Sequence, residues 1–337
     1  MSVVDQLRAD FERDGPIRFD RFMEICLYGA GGFFASSSGR AGLRGDFVTS
    51  VELGPVFAGV LARRIVAGWS MGRPHVAAPC SNGRRVADVG GGSGTLARQL
   101  ELIGGGTIEA VSVERTRGAV RRLADLPWVP DVVVAHELLD NLPARLVFEG
   151  RAELRVGFDG DGATCLFHVP LDPELEMFRD RWLPEPAAGV VPVPVGAIAW
   201  VADVAALAPP AVVVVDYGAD AAALAARDDW PVRGYVSQHE VDPIAAPGET
   251  DVTCDVAFDV VEAELRHHGY VTERLRQRDW LTRHGLDEVV EAAAAVSGDL
   301  GRLRAAEARS QATDLCDPAG LGAFWVLEAT LPDDVGT

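Results

Sequence analysis

The sequence contains no lysine, so all 31 residues counted as lysine plus arginine are arginines. This absence excludes a P-loop lysine that binds phosphate, a lysine Schiff base with pyridoxal phosphate, and a lysine general base. The bias is typical of a coding preference that also enriches alanine, glycine and valine. Lysine chemistry is excluded whatever the origin of the bias.

Closely spaced cysteine pairs and long apolar runs are also missing. The five cysteines are scattered and lack C-x-x-C spacing, which favours free thiols in a reducing compartment over a disulfide framework or a zinc site. We therefore expect a cytoplasmic protein with no bound metal. No run approaches the ~18 apolar residues that a membrane span requires, and residues 1–14 lack the apolar segment of a secretory signal.

Acidic residues outnumber basic ones by 50 to 31 over 337 residues, which gives a formal net charge of −19. This charge argues against nucleic acid or an anionic membrane as a partner, because both select a basic surface. It is compatible with a cationic cofactor or substrate, although an acidic surface that merely keeps the protein soluble is the simpler explanation. The sequence does not determine the oligomeric state, and a homodimer is one arrangement compatible with it.

Short apolar strands alternate with helical segments after residue 84, which predicts an α/β protein with a parallel sheet. Residues 1–75 are predicted to form a helical N-terminal segment, and residues 76–144 the first half of the core. Residues 145–200 alternate and then become rich in proline, which predicts a small inserted β-rich subdomain, and residues 201–337 complete the core. The predicted strands are 85–89, 108–113, 131–135, 212–215, 270–275 and 323–330, and the predicted helices are 56–69, 95–103, 117–123, 258–268 and 287–308.

A glycine-rich loop follows the first predicted strand, where glycines let a ligand approach the backbone and the following helix N-terminus. A dinucleotide frame fits Gly92, Gly94 and Ala97, but two further glycines separate it from the strand end. The alternative frame is an acid followed by alternate glycines, with Asp88 before Gly90, Gly92 and Gly94. It favours S-adenosylmethionine, because the acid can accept from a cationic amino acid moiety.

Two further acids follow neighbouring strands. Glu114 ends the second strand, where a carboxylate can accept both ribose hydroxyls of either NAD or S-adenosylmethionine. Asp125 and Leu126 precede the third strand and are candidates for binding the adenine amine, although a surface turn explains this pair equally well.

The segment from His136 to Pro143 follows the third strand at the edge where open α/β sheets place their chemistry. Its carboxylates, Glu137 and Asp140, are three residues apart and can share one helical face. Acids that merely cap a helix N-terminus are the alternative interpretation.

Five segments, in order along most of the chain, resemble motifs of the MidA family of class I S-adenosylmethionine-dependent methyltransferases, which includes a mitochondrial complex I assembly arginine methyltransferase. The segments are 45–57 (Asp46, Phe47, Thr49, Glu52, Phe57), 88–95, 136–143, 216–218 (Asp-Tyr-Gly) and 239–258 (His239, Asp251). The sequence departs from the family at 33–36, which reads Phe-Phe-Ala-Ser, and at 233–239, where the histidine lies one place further on.

The resemblance implies a Rossmann-like class I sheet whose last strand is antiparallel, with S-adenosylmethionine as the cofactor. It implies that Glu137 is the first candidate, and Asp140 the second, for a catalytic residue that binds the acceptor. It places His239 and Asp251 on the acceptor side. The implied cofactor-binding residues are Asp46, Phe47, Thr49, Glu52, Asp88, Gly90, Gly92, Gly94, Glu114, Asp125, Leu126 and His136. A protein arginine is the leading acceptor. The alternatives are a small molecule or peptide carboxylate as acceptor, a non-catalytic assembly factor, and a nicotinamide dehydrogenase.

Overall fold

A computed structural model describes residues 1–35, 49–68, 83–116, 119–237, 239–295 and 298–332. Its α-helices are α1 (Val3–Asp14), α2 (Phe19–Met23), α3 (Pro55–Ala67), α4 (Thr95–Gly104), α5 (Pro173–Trp182), α6 (Val195–Leu207), α7 (Ala221–Ala225), α8 (Phe258–His267), α9 (Gln277–Arg283), α10 (Leu286–Ala294) and α11 (Gly298–Cys316). A π-helical turn at Glu24–Tyr28 follows α2.

The strands are β1 (Ile17–Arg18), β2 (Arg84–Val89), β3 (Ile108–Val113), β4 (Val132–His136), β5 (Arg145–Phe148), β6 (Ala152–Phe158), β7 (Thr164–Pro170), β8 (Val190–Val193), β9 (Ala211–Asp216), β10 (Gly218–Ala219), β11 (Val232–Val236), β12 (His239–Val241), β13 (Asp251–Cys254), β14 (Val256–Ala257), β15 (Val271–Arg276) and β16 (Trp325–Thr330).

Six strands form the central sheet, in the order β15-β16-β9-β4-β2-β3. Strands β3, β2, β4 and β9 are parallel, whereas β16 is antiparallel to both β9 and β15. All six residues of β9 are buried, as expected for a central parallel strand covered on both faces. The predicted α/β class is confirmed.

The valines of β9 divide the core between the two faces of this sheet. Val213 and Val215 pack in the hydrophobic cluster that includes α3, α4 and α9–α11. Val212 and Val214 pack in the cluster that includes α6 and α8. Successive side chains of a strand point to opposite faces, so the apolar run of β9 stabilises both helical layers at once.

The predicted inserted subdomain supplies most of a second sheet, in which β1 from the N-terminal segment pairs with β6. This sheet packs against α1 and α2 in a separate hydrophobic cluster. A third, three-stranded sheet has the order β12-β11-β13. The domain divisions predicted at 75, 144 and 200 stay predictions.

Two predicted helices differ from the structure. The helix predicted over 287–308 is two helices, because α10 ends at Ala294 and α11 begins at Gly298, whose φ of +86° is left-handed. In the described part of 117–123 there is no α-helix, since Val120 pairs with Val113 at the sheet edge and its carbonyl accepts from the Glu114 amide. No helix in the described ranges has the length and apolar character to cross a membrane.

Candidate cofactor and active site

A cavity of about 900 Å³ lies at the carboxyl edge of the central sheet. Its walls come from the N-terminal segment, the glycine loop after β2, the end of β3, the turn after β4, and α6. Open α/β sheets bind ligands at this edge. The cavity therefore unites most of the segments that the sequence singled out.

Left-handed glycines shape the loop between β2 and α4. Gly90 has a φ of +73° and Gly92 a φ of +52°, a conformation that other residues adopt only with strain. A Cβ at Gly90 would lie 2.7 Å from the Leu138 side chain, whereas one at Gly92 would meet open space. Glycine at these positions keeps the backbone accessible from the cavity.

Asp88 lies directly beneath this loop and is only 1% exposed. A Cβ at Gly91 would collide with its carboxylate and with the Ser112 hydroxyl. Burial raises the pKa of Asp88 to about 7, with a further rise from Glu114, while a hydrogen bond from the Ala97 amide opposes both. The carboxylate contacts the underside of the loop, so its direct contact with a cofactor ammonium stays a prediction.

Glu114 closes the cavity from the end of β3. Its carboxylate accepts from the Gly92 amide at 3.2 Å and from the amide and hydroxyl of Thr116, both at 3.3 Å. It is therefore held beside the glycine loop, where the sequence predicted a ribose-binding acid.

The N-terminal segment contributes Thr49 and Glu52 to the cavity. A Glu52 carboxylate oxygen accepts from the Ser93 hydroxyl at 3.4 Å, which joins this segment to the glycine loop. The predicted residues Asp46 and Phe47 lie outside the described residues.

Glu137 occupies a constrained position immediately after β4. Its φ is +50°, its amide donates to the Val215 carbonyl at 2.8 Å, and its carboxylate accepts from the Ser50 amide at 3.2 Å. Burial and the neighbouring Asp140 raise the pKa of Glu137 to about 8, against the opposing effect of Ser50. The structure thus presents a desolvated carboxylate, 14% exposed, at the cavity wall.

Asp140 lies behind this wall and is not part of the cavity lining. Burial raises its pKa to about 6, although the Tyr217 hydroxyl donates to it and opposes the rise. Asp216, at the end of β9, accepts from the amides of Leu139 and Asp140 at 2.8 and 3.2 Å. Burial and the Asp140 charge raise the pKa of Asp216, while hydrogen bonds from the amides of Tyr217 and Asp140 stabilise its charged form.

His136 lines the cavity with its ring packed edge-on against Phe57, at 4.9 Å between centroids. Burial lowers the pKa of His136 to about 3. The ring is therefore neutral at physiological pH and does not form an ion pair with Glu137, 3.6 Å from its Nδ1.

The two residues predicted for the acceptor side lie outside the cavity lining. Asp251 is buried and accepts from the Asn141 side-chain amide at 2.9 Å. Because Asn141 lines the cavity, Asp251 is one contact away from it. His239 is exposed on β12 and pairs with Val236. Their predicted roles stay predictions.

Sequence reasoning missed several cavity residues and chose others that lie apart. Asp125 is exposed and forms an ion pair with Arg122 at 2.9 Å, and neither Asp125 nor Leu126 lines the cavity. The cavity instead includes Trp200 and Asp203 of α6. Their signal was the helical spacing after Pro194, in a stretch where we predicted no helix. No cluster of potential metal ligands occurs among the residues that the structure describes.

Three comparisons with known proteins agree with this geometry. A family model of S-adenosyl-L-methionine-dependent methyltransferases matches residues 111–274. The human mitochondrial protein arginine methyltransferase NDUFAF7 is 24% identical, over 85% of this chain and 74% of that protein. A COG1565 superfamily member from Burkholderia thailandensis, solved with S-adenosylhomocysteine bound, is 26% identical with a TM-score of 0.80, over 97% of this chain and 91% of the other. A native structure of a COG1565 protein from the same bacterium gives a TM-score of 0.79.

The chain is an S-adenosylmethionine-dependent methyltransferase that is similar to the COG1565 proteins and to NDUFAF7. Its cofactor is therefore S-adenosylmethionine, which decides between the two frames of the glycine loop and excludes the dehydrogenase alternative. The open space above Gly92 and the carboxylate of Glu114 fit this group. In this methyltransferase the glycine loop would support the amino acid part of the cofactor, and Glu114 would accept from its ribose.

Proposed function

We propose that this protein is a class I methyltransferase that methylates an arginine side chain of a protein. The strand order of the central sheet and the antiparallel β16 support the class I assignment. The observation that carries the acceptor proposal is the buried carboxylate of Glu137 at the cavity wall. The printed name of the human relative, a protein arginine methyltransferase, supports it at 24% identity.

Arginine is a difficult acceptor because its pKa exceeds ~12 and its charge is delocalised. Bound S-adenosylmethionine supplies a methyl group on a sulfonium, which is already activated for displacement. The protein's part is to position the acceptor nitrogen and leave it a lone pair. A carboxylate that accepts from the other guanidinium nitrogens holds the charge there.

Glu137 is placed for this role because its backbone is fixed and its carboxylate is desolvated. The Ser50 amide and the strand hydrogen bond to Val215 restrict its orientation. A cationic acceptor would lower the pKa of Glu137 and favour the ionised form that binds it. Asp140, which lies behind Glu137, would make the electrostatic potential at this wall of the cavity more negative.

The direct test is methyl transfer from labelled S-adenosylmethionine to proteins of a cell extract, with wild type and Glu137→Gln compared. We expect methylarginine as the product, identified by mass spectrometry, and a loss of at least about 100-fold in the variant. Binding of S-adenosylhomocysteine should change little.

Glu149→Gln is the matched control. Glu149 also has a left-handed φ, +48°, but pairs with Arg151 at 3.8 Å and lies outside the cavity lining. Equal incorporation by wild type and Glu137→Gln at background level would favour a non-catalytic assembly factor. A methyl ester or a labelled small molecule as the product would contradict the arginine proposal.

A further inference from the structure

One helical face of α6 forms a wall of the cavity. Trp200, Asp203, Ala206 and Leu207 line it, and their spacing of three and four residues places them on one side of a helix. Trp200 is buried, with 7% of its surface exposed, whereas Asp203 is exposed. We refer to these four residues as the α6 wall.

Apolar residues from the end of β3 and from the turn at Leu123 pack beside this wall. Val113 and Leu123 line the cavity and pack in the same hydrophobic cluster as Trp200. Val113 directly precedes Glu114, the residue placed to accept from the ribose. The apolar surface next to that residue suits a flat aromatic base, and the α6 wall adds one carboxylate to it.

Two aspartates are candidates for binding the amine of an adenine. Asp125 is engaged by both Nε and Nη2 of Arg122, at 3.0 and 2.9 Å, and lies outside the cavity lining. Asp203 lines the cavity and has no hydrogen bond or ion pair with any residue in the described ranges. Its carboxylate is therefore available to a ligand.

We propose that Asp203 recognises the adenine amine of S-adenosylmethionine, with Trp200 forming the apolar surface beneath the base. The exocyclic amine of adenine is a hydrogen-bond donor and a carboxylate only accepts, so the two are complementary. A base with a carbonyl oxygen at this position would place two acceptors against each other. The proposal rests on the identity of the cofactor and does not depend on the methyl acceptor.

The consequence is that Asp203 determines base specificity. A site that hydrogen-bonds a particular donor rejects an analogue that lacks it, because the site's polar group is left unpaired. Asp203 is exposed, so water can replace part of the lost hydrogen bond and the discrimination is modest. We expect wild type to prefer adenine over hypoxanthine by about tenfold or more.

The test compares S-adenosylhomocysteine with S-inosylhomocysteine, which carries oxygen in place of the amine. Isothermal titration calorimetry gives the Kd of each ligand for wild type and Asp203→Asn. We expect the preference to fall below about threefold in the variant, because an amide can also donate to the carbonyl. Binding of S-adenosylhomocysteine by the variant shows that the fold is retained.

Asp125→Asn is the matched control, with the same substitution on the neighbouring candidate. It should keep the wild-type preference. A second variant, Trp200→Leu, should weaken both ligands by a similar factor and leave their ratio unchanged. The proposal is overturned if Asp203→Asn keeps the wild-type ratio, if Asp125→Asn loses it, or if wild type binds both ligands equally.

Discussion

On one side of the cavity, Glu137 is a largely buried acid held by the backbone of β9, whereas on the α6 wall Asp203 is an exposed acid on a helix face. The acidic turn, residues 137–141, is bound to β9 through Val215 and Asp216. In the described part of the chain, no hydrogen bond joins the side chains of the α6 wall to the acidic turn. We infer that the acidic turn positions the methyl acceptor accurately, whereas the α6 wall selects the base of the cofactor.

The largest effect is expected where the acidic turn is attached. Asp216→Ala removes the acceptor of the Leu139 and Asp140 amides. A displacement of about 1 Å at a reacting group costs on the order of 100-fold in rate, so we expect methyl transfer to fall by about that factor. Calorimetry should show a Kd for S-adenosylhomocysteine within about threefold of wild type.

Asp216→Asn separates positioning from charge. The asparagine oxygen can still accept from the two amides, so this variant should recover much of the activity. Equal losses in the Asn and Ala variants would show that the charge of Asp216, and not its hydrogen bonds, matters.

The pH dependence of the acidic turn should be the next largest effect. Glu137 binds a guanidinium only when ionised, and its pKa is raised to about 8 in the free protein. We expect kcat/KM for the acceptor to rise about tenfold per pH unit below this value and then level off. The measurement is kcat/KM for the acceptor as a function of pH, at saturating S-adenosylmethionine and constant ionic strength. A flat profile between pH 6 and 8 would argue against an ionised Glu137.

The glycine loop, which also lines the cavity, gives a smaller effect. Gly92→Ala costs strain of roughly 1–2 kcal/mol at a φ of +52° and places a methyl group in the open space of the cavity that the cofactor would occupy. We expect about tenfold weaker binding of S-adenosylhomocysteine by calorimetry. Gly105→Ala is the control, since Gly105 has a φ of +54° and equally open surroundings but lies outside the cavity lining. Equal binding losses in both variants would indicate a general effect of strain.

The same contrast explains what could be predicted from the sequence. Glu114 and Glu137 follow parallel strands, and hydrogen bonding fixes where those strands end, so a linear pattern located both acids at the cavity. Asp203 comes after residues 137–194, which separate β4 from α6, and its position depends on how α6 packs against the turn at Leu123. Asp125 fits an adenine-binding acid by its sequence position, but in the structure it pairs with Arg122 and lies outside the cavity lining. Packing between distant segments leaves no local pattern to read.

The smallest effect concerns stability, and its sign distinguishes the two acids. Burial raises the pKa of Glu137 above its ordinary value of 4.5 to about 8, so the folded state retains a proton that the unfolded state loses first. The free energy of unfolding therefore falls as pH rises from about 4.5 to 8. Glu137→Gln removes this loss, and its amide oxygen can still accept from Ser50. We expect the variant's Tm to exceed that of wild type by at least about 2 °C at pH 8.5, with no advantage near pH 4.5.

The exposed Asp203→Asn should shift Tm by about 1 °C or less across the same range. A Glu137→Gln variant that is less stable than wild type at pH 8.5 would contradict this expectation. It would show that the ionised carboxylate of Glu137 stabilises the acidic turn, so that its charge and not its desolvation holds the turn in position.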